Sequence, residues 1–564
     1  MRILIIGMGL TGLVAAQRLI ELHAVDDDPN SNISIEIVGD GSGASPYVHG
    51  FNIPLDSRDS IDTFIEDTMS SGYDLSNKAL VQTLCTDSVG LLKDLDNWGI
   101  ELEKDADEYV LLKPLGSSWP RVVSSGNYTG AEIMSFLRQS LKGKKNVIFT
   151  ERARVLRLDT RDGRVYGAIL WNKETEMMEY RPTDAVLLAG GGFCGIYPFS
   201  TNSFDIGGDG IAMAYEAGLP LIDMEFIQFE PCVGLYPEKV YGKSVVTTMF
   251  YDGAVLRNGN MDRFMKSENN EDSYECVGKD VLSKAIFHEI VFGTPTEHGG
   301  VYFDATGVGT EKLRKHYGSY VERYARAGID ITKEPFEIAP APHTSIGGVV
   351  ITSDCCTEVE GLFAAGEACG GLHGANRLGG NAGLETLVFG KRAGNSIYSY
   401  VVANRNSNAS SNVKMDDYAQ KLLDWANQKN GQDVSVDRIR AFRQEMQSIL
   451  KKDLYIVRNE ATLYTAVKRL DEMLEEIRSY ACQGHALEKI RTENDLLCAS
   501  LLAHSAYVRK ESVGCHIRDD SPIDGTEDNT IISTRNKTCL EKEGENLYHV
   551  VIRKCYDGLS LRKE

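Results

Sequence analysis

The stretch Met1–Arg18, MRILIIGMGLTGLVAAQR, decides the fold. Its apolar run Ile3–Ile6 reads as a buried strand, Gly7-Met8-Gly9-Leu10-Thr11-Gly12 as a tight turn, and the remainder as the start of a helix. A G-x-G-x-x-G motif needs that strand–turn–helix setting to be informative. Gly7 permits the turn, Gly9 lets a pyrophosphate approach the backbone, and Gly12 lets helix and strand pack closely. Free N–H groups of the first helical turn, which holds Leu10 and Thr11, together with the helix dipole, would hold the phosphates. The motif predicts dinucleotide binding, against the competing reading of a plain glycine turn. By itself it does not choose between NAD and FAD.

Working outward, Ile33–Val38 alternates like a second strand and ends at Gly39-Asp40-Gly41. An acid at the end of this strand binds a ribose hydroxyl in dinucleotide folds. Asp40 is the nearest candidate, one residue off the usual place, and an ordinary turn aspartate is the competing reading. Gly41–Leu55 is rich in small residues and is expected to run close to a ligand. Ser60–Ser70, Ala79–Trp98 and Tyr128–Leu141 read as amphipathic helices, and Asn146–Leu158 and Val165–Asn172 as strands of a small sheet. Ala185–Leu188 is an apolar strand running into Ala189-Gly190-Gly191-Gly192. That is either a second backbone approach to the same cofactor or a strand-end turn.

The rhythm breaks after residue 230. Residues 231–340 carry their own strands and helices and read as an inserted domain, after which 341–403 resumes the dinucleotide pattern. Asn404–Asn412 reads as a linker. Asp416–Ala481 and Glu488–Val508 are long helical patterns, which assign 413–510 to a helical domain and 511–564 to a small C-terminal segment.

The totals exclude several classes. The 564 residues carry a net charge of −21, which argues against nucleic acid and against electrostatic docking on anionic lipid. The twelve cysteines include no C-x-x-C pair, so neither an iron–sulfur cluster nor a structural zinc is expected within this chain. Free thiols, no signal peptide and no apolar run of about 18 residues together predict a cytoplasmic protein without a membrane span.

The most specific stretch is Gly361-Leu362-Phe363-Ala364-Ala365-Gly366-Glu367, continuing through His373-Gly374-Ala375-Asn376-Arg377-Leu378-Gly379-Gly380-Asn381-Ala382-Gly383-Leu384-Glu385. With the opening turn, Ala189–Gly192, Gly207-Gly208-Asp209-Gly210, Phe226-Ile227-Gln228-Phe229, Arg263-Phe264-Met265, His343 with Gly347-Gly348, and Val508–Pro522, it resembles the flavoprotein subunits of succinate dehydrogenase and fumarate reductase and the related L-aspartate oxidases. The resemblance spans nearly the whole chain and implies FAD as the cofactor. It implies an α/β chain: an interrupted Rossmann-like FAD-binding domain, an inserted α+β capping domain and a C-terminal helical domain. Ala189, Gly190, Gly191, Asp209, Gly366, Glu367, Asn381, Ala382 and Leu384 fall in its cofactor motifs. Glu367, after a buried strand, is placed to accept hydrogen bonds from ribityl hydroxyls. Gly379-Gly380-Asn381 opens a helix whose positive end would stabilise an anionic reduced flavin. Arg377 and His343 match family residues that bind a substrate carboxylate, a task suited to a planar guanidinium.

Departures from the family pattern narrow the expectation. The histidine that binds FAD covalently in some members aligns with Gly43 or Ala44, and His49 comes several residues too late, so non-covalent FAD is expected. Glu230-Pro231 stands where the family has His-Pro, and Val246–Tyr251 lacks the Thr-Glu-Gly-x-Arg of the dicarboxylate enzymes. The family's proton-donating Arg-Asp is Lys279-Asp280 here, with Tyr251 a second candidate acid. Two carboxylate clamps therefore reduce to one, and Glu230 is expected to face a cationic group of the substrate. The leading expectation is a flavin-dependent oxidoreductase acting on CH–CH groups. It would pass hydride between flavin and a carboxylate-bearing, enoate-like substrate other than fumarate or succinate. An iron–sulfur or other electron-transfer subunit is a candidate partner. The alternatives are an L-aspartate-oxidase-like amino acid oxidase and a non-catalytic flavin-binding component of an electron-transfer complex.

Overall fold

A computed structural model describes residues 1–26, 32–41, 43–126, 128–203, 205–265, 274–405, 417–426, 432–481, 484–520, 531–532, 536–543 and 547–554. Most of the linker expected at 404–412 and much of the segment 511–564 lie outside the described residues.

The opening strand is the middle of a five-stranded parallel sheet. β1 (Arg2–Ile6) pairs on one side with β2 (Ser34–Gly39), which pairs with β3 (Val147–Glu151). On the other side it pairs with β4 (Ala185–Leu188), which pairs with β5 (Leu362–Ala364). In register, Ile5 faces Ile37 on one neighbour and Leu187 on the other. A strand covered on both faces must be apolar throughout, which is why Ile3–Ile6 reads as an unbroken run rather than an alternation. The loop from β1 into α1 (Leu10–Ala24) makes two close approaches. A Cβ on Gly7, at φ +123°, would lie 2.1 Å from the Ala189 carbonyl oxygen, and one on Gly12 would lie 2.2 Å from that of Gly7. Side chains at either place would prise the first turn away from the sheet.

Two sequence expectations are corrected. Asn146–Leu158 is not one strand of a small sheet. Arg152, at φ +57°, breaks it, so that β3 joins the parallel sheet while Ala153–Arg161 joins Arg164–Asn172 and Met177–Pro182 in an antiparallel one. Ala79–Trp98 is two helices, Lys78–Ser88 and Leu91–Asn97, interrupted at Val89-Gly90.

The insertion leaves and re-enters on two long antiparallel strands, Ile227–Tyr236 and Phe336–Ser345. Their register sets Gln228 opposite Thr344 and Glu230 opposite Ala341. Val301–Asp304 and Val255–Arg257 complete this sheet. Against it lie α2 (Lys279–Phe292) and α3 (Gly318–Arg326), around a separate apolar core that includes Phe303, Phe336 and Leu282. The chain then returns through β5 to α4 (Asn381–Ala403), whose first turn faces back towards the glycine loop. Three further helices, Val436–Asp453, Glu460–Ser479 and Ala486–Val508, pack together. The last is buried on nearly every side, which accounts for its weak amphipathic pattern.

Candidate active site

A continuous cavity of about 490 Å³ runs from the carboxyl ends of the parallel strands to the inserted domain. Open α/β sheets bind ligands at that edge. Of the residues named from sequence, Gly7, Gly9, Thr11, Asp40, Gly41, Ala189, Gly190, Gly191, Asp209, Glu367 and Ala382 line it, and at its other end so do Glu230, Lys279, His343 and Arg377.

The rest are placed elsewhere. Leu10 and Gly12 lie behind the wall, where the Leu10 N–H donates to Ser45 Oγ (2.9 Å). Gly366 packs on the Thr11 side chain. Leu384 is buried in the core, and the Asn381 side chain is spent inside the protein, accepting from Asn52 Nδ2 (2.7 Å) and donating to Thr68 Oγ1 (3.2 Å). Tyr251 is 41% exposed beside Lys113 and does not reach the cavity wall.

At the end near β2, Arg154 binds Asp209 Oδ2 (2.5 Å) and approaches Asp40 (3.5 Å), and Lys173 also pairs with Asp40. Both acids are thus fixed by cations from the antiparallel sheet. In the middle, Glu367 is half-buried and accepts from the backbone N–H (3.1 Å) and hydroxyl (3.4 Å) of Ser345. Burial pushes its carboxyl up to about 7, against the pull of the Ser345 N–H. Beside it, α4 begins at Gly380 with no capping side chain, and Gly379, Gly380 and Ala382 form the wall. The unpaired N–H groups of a helix start therefore point into the cavity, the donor set that a flavin's pyrimidine carbonyls require. With the glycine loop at the far end, these residues fit FAD.

The inserted domain closes the other end. Gln228 donates to Asn376 Oδ1 (2.8 Å) and to the Arg377 carbonyl (2.9 Å), so the strand Ile227–Tyr236 fixes the loop that carries Arg377. The Arg377 side chain is buried. Its Nη1 reaches the Leu378 carbonyl at 3.3 Å and its Nε has no partner. Burial lowers its pKa, while the charges of Glu230, Glu367 and Glu385 hold it up. His343 Nδ1 is 2.7 Å from Thr201 Oγ1, and its Nε2 is 3.7 Å from Glu230 Oε2. Enclosure by protein, then the Lys279 and Arg377 charges, push its pKa well down, so the ring is neutral and its open face looks into the cavity. Glu230 is hydrogen-bonded to Lys279 at the start of α2. The next residue, Asp280, accepts from the Tyr73 hydroxyl and ties α2 to the dinucleotide-binding domain. Glu230 therefore has its cation within the protein, which removes the reason to expect a cationic substrate group there.

Sequence reasoning named no role for Gln228, Asn376, Thr201, Ser345 or Tyr73. The Phe226–Phe229 motif was the available signal for Gln228. The His373–Glu385 stretch was the signal for Asn376, and the others become visible when distant segments are brought together.

Comparison with known proteins agrees with this architecture. The family described as FAD binding domain matches residues 2–382, and that described as fumarate reductase flavoprotein C-term matches residues 443–551. One subunit of the fumarate reductase (CoM/CoB) of Methanothermobacter marburgensis is 32% identical over 528 residues, 92% of this chain and 94% of that protein. L-aspartate oxidase of Yersinia pestis is 29% identical over 539 residues, covering 92% and 96%. The FrdA chain of E. coli quinol fumarate reductase, determined as a point mutant, superposes with a TM-score of 0.84 at 26% identity, covering 100% of this chain and 98% of that one. The cofactor is FAD, and the chain belongs to the family of flavin-dependent oxidoreductases of the fumarate reductase and succinate dehydrogenase type.

Proposed function

We propose that this protein exchanges hydride between FAD and a carbon adjacent to the carboxylate-bearing end of an enoate substrate, and that the substrate is neither fumarate nor succinate. One observation carries the reading. Arg377 is a buried guanidinium on the cavity wall whose Nε has no partner. Glu230, Glu367 and Glu385 act on it from a distance, but among the described residues no carboxylate forms an ion pair with it, and a buried cation so placed gains when an anion arrives to meet it. A planar fork presented to a cavity selects a carboxylate.

FAD, when bound, supplies two-electron hydride chemistry at its N5 position. The glycine loop and the start of α1 would hold its phosphates, Glu367 its ribityl hydroxyls, and the start of α4 its pyrimidine edge. Arg377 and neutral His343 hold the substrate carboxylate, with Thr201 fixing the imidazole. Lys279, an ammonium held by Glu230, gives or takes the proton at the second carbon. The cavity is lined by both the FAD-binding and the inserted domains, a setting that would shield the reacting atoms from bulk water. Tyr251 has no part in this chemistry.

The charges favour an enoate over an amino acid. Glu230 already carries Lys279, so the substrate's amino group gains no free carboxylate there. The protein works in the cytoplasm with a separate electron-transfer partner. The nine cysteines whose side chains the structure describes are free thiols, which supports a reducing compartment, and the fumarate reductase (CoM/CoB) relative is itself one subunit of its enzyme, which supports a partner.

The test is to photoreduce the FAD-loaded protein and follow flavin reoxidation with a panel of enoates, with fumarate included. Reoxidation by an enoate, lost in Arg377→Lys, is the expected result. Oxygen consumption with L-amino acids and silence with every enoate would establish the oxidase instead.

A further inference from the structure

We propose that Tyr320 and Arg323, one turn apart on α3, form a second anion subsite of this cavity, so that the substrate is a dianion longer than fumarate. One carboxylate lies at Arg377 and His343 and the other at Arg323. The inference rests on the preceding reading and names its substrate class.

The spacing puts both side chains on one face of α3. That face forms part of the cavity wall, which both residues line. The Arg323 guanidinium stacks over the Tyr320 ring at 4.9 Å, and its Nη1 donates to the Ser244 carbonyl (2.9 Å), itself on the wall. The nearby Glu322 turns away to Arg326 at 3.2 Å. Among the described residues, no acidic side chain forms an ion pair with Arg323. In a chain with a net charge of −21, a cation left open at a cavity is available to an anionic ligand. Burial, opposed by Arg323 and reinforced by Glu230, pushes the Tyr320 hydroxyl up to about 12, so it stays protonated and able to donate.

The order of groups sets the length. A four-carbon dianion held at Arg377 would need its second cation close by. Lys279 stands there, but its charge is already met by Glu230. Along the strand Ile227–Tyr236, Gln228 holds the Arg377 carbonyl, Glu230 follows, and Val233 is bridged to Ser244, whose carbonyl holds Arg323, so Glu230 lies between the two cations along that strand. Arg323 stands one ring beyond Tyr320. A ligand spanning Arg377 to Arg323 must pass the Glu230–Lys279 pair, and fumarate is too short to do so.

The test uses binding. The visible spectrum of the FAD-loaded protein is titrated with saturated dicarboxylates from succinate to suberate and with monocarboxylates of matching length. A dicarboxylate longer than succinate is expected to bind roughly tenfold or more tightly than succinate and than its own monocarboxylate. Arg323→Gln should collapse that dicarboxylate-to-monocarboxylate ratio, and Arg323→Lys should restore part of it. Arg377→Lys should weaken both classes. If monocarboxylates bind at Arg377 with no dicarboxylate advantage at any length, or if Arg323→Gln leaves the ratio intact, the second subsite is overturned while the preceding reading stands. If no carboxylate perturbs the flavin, or if Arg377→Lys changes nothing, the preceding reading falls and this one with it.

Discussion

Glu367 offers a quantitative test of how the cavity holds its cofactor. Its carboxyl sits at about 7 instead of 4.5 because it is enclosed by protein and the Ser345 N–H compensates for only part of the lost water. At about 1.36 kcal/mol per pH unit, that displacement makes the charged form roughly 3 kcal/mol too expensive in the apoprotein. A carboxyl whose native pKa is raised subtracts stability. Below about pH 4.5 it is protonated in both states and contributes nothing. As pH rises to about 7 the penalty grows, and above 7 it is fully present. Ribityl hydroxyls donating to the carboxylate would offset this penalty, so FAD binding favours the ionised form. Affinity for FAD should therefore fall as pH falls through 7, by up to about tenfold per unit and roughly 100-fold between pH 7 and pH 5. Glu367→Gln keeps the shape and removes the proton. At pH 8 it should weaken FAD by roughly 1.5–3 kcal/mol, the range for a hydrogen bond to a charged group, and flatten the profile so that it meets the wild type near pH 5. Quenching of flavin fluorescence on titration measures each dissociation constant. Equal pH slopes in wild type and Glu367→Gln would refute the argument, because the linked proton would then belong to another group.

Three further outcomes are expected. Arg377→Lys should lower kcat/KM with the enoate substrate by roughly 10²–10³, in line with about 3–5 kcal/mol for a buried charge pair, with the flavin spectrum and FAD affinity unchanged. Lys279→Met should slow turnover by roughly 10²–10⁴ and destabilise the chain by about 3–5 kcal/mol in urea unfolding, because Glu230 is left buried without its cation. Adding Glu230→Gln should recover most of the stability and none of the turnover. Gly12→Ala should cost roughly 1–3 kcal/mol and reduce FAD retention on gel filtration, because its Cβ would lie 2.2 Å from the Gly7 oxygen, whereas Gly143→Ala, which meets open space, should do neither.

Legibility in the sequence followed how local each signal was. The β1–turn–α1 unit is complete within eighteen residues, and its glycines, strand and helix report one another. The split of Asn146–Leu158 was hidden because both halves are apolar enough for a strand. Only the left-handed Arg152 separates them, and an arginine carries no turn signal. Asn381 illustrates the opposite error. It belongs to a legible motif, yet its side chain holds Asn52 and Thr68 while backbone N–H groups face the cavity. A motif shows where the backbone approaches a ligand more securely than which side chains touch it. Thr201 and Tyr73 could not be found at all, since their partners lie 142 and 207 residues away.

The same limit explains why Glu230 and Lys279 looked like two separate departures. Taken singly, Glu230 adds a negative charge where a carboxylate substrate needs a positive one, and Lys279 replaces a permanently charged guanidinium with an ammonium, which is the stronger acid. Across the sheet they are one substitution. The register that sets Glu230 opposite Ala341 turns its carboxylate towards the start of α2, where it meets Lys279, with His343 Nε2 3.7 Å away. The carboxylate that adds negative charge at this position is also the counter-charge that the lysine meets. On the proposed function, losing the second clamp and keeping a proton donor are thus one structural event. On the same proposal, the exchange leaves Arg377 as the cation that meets the substrate at this end of the cavity. The proposed function therefore rests on one buried guanidinium whose Nε lacks a partner and not on a count of family residues retained.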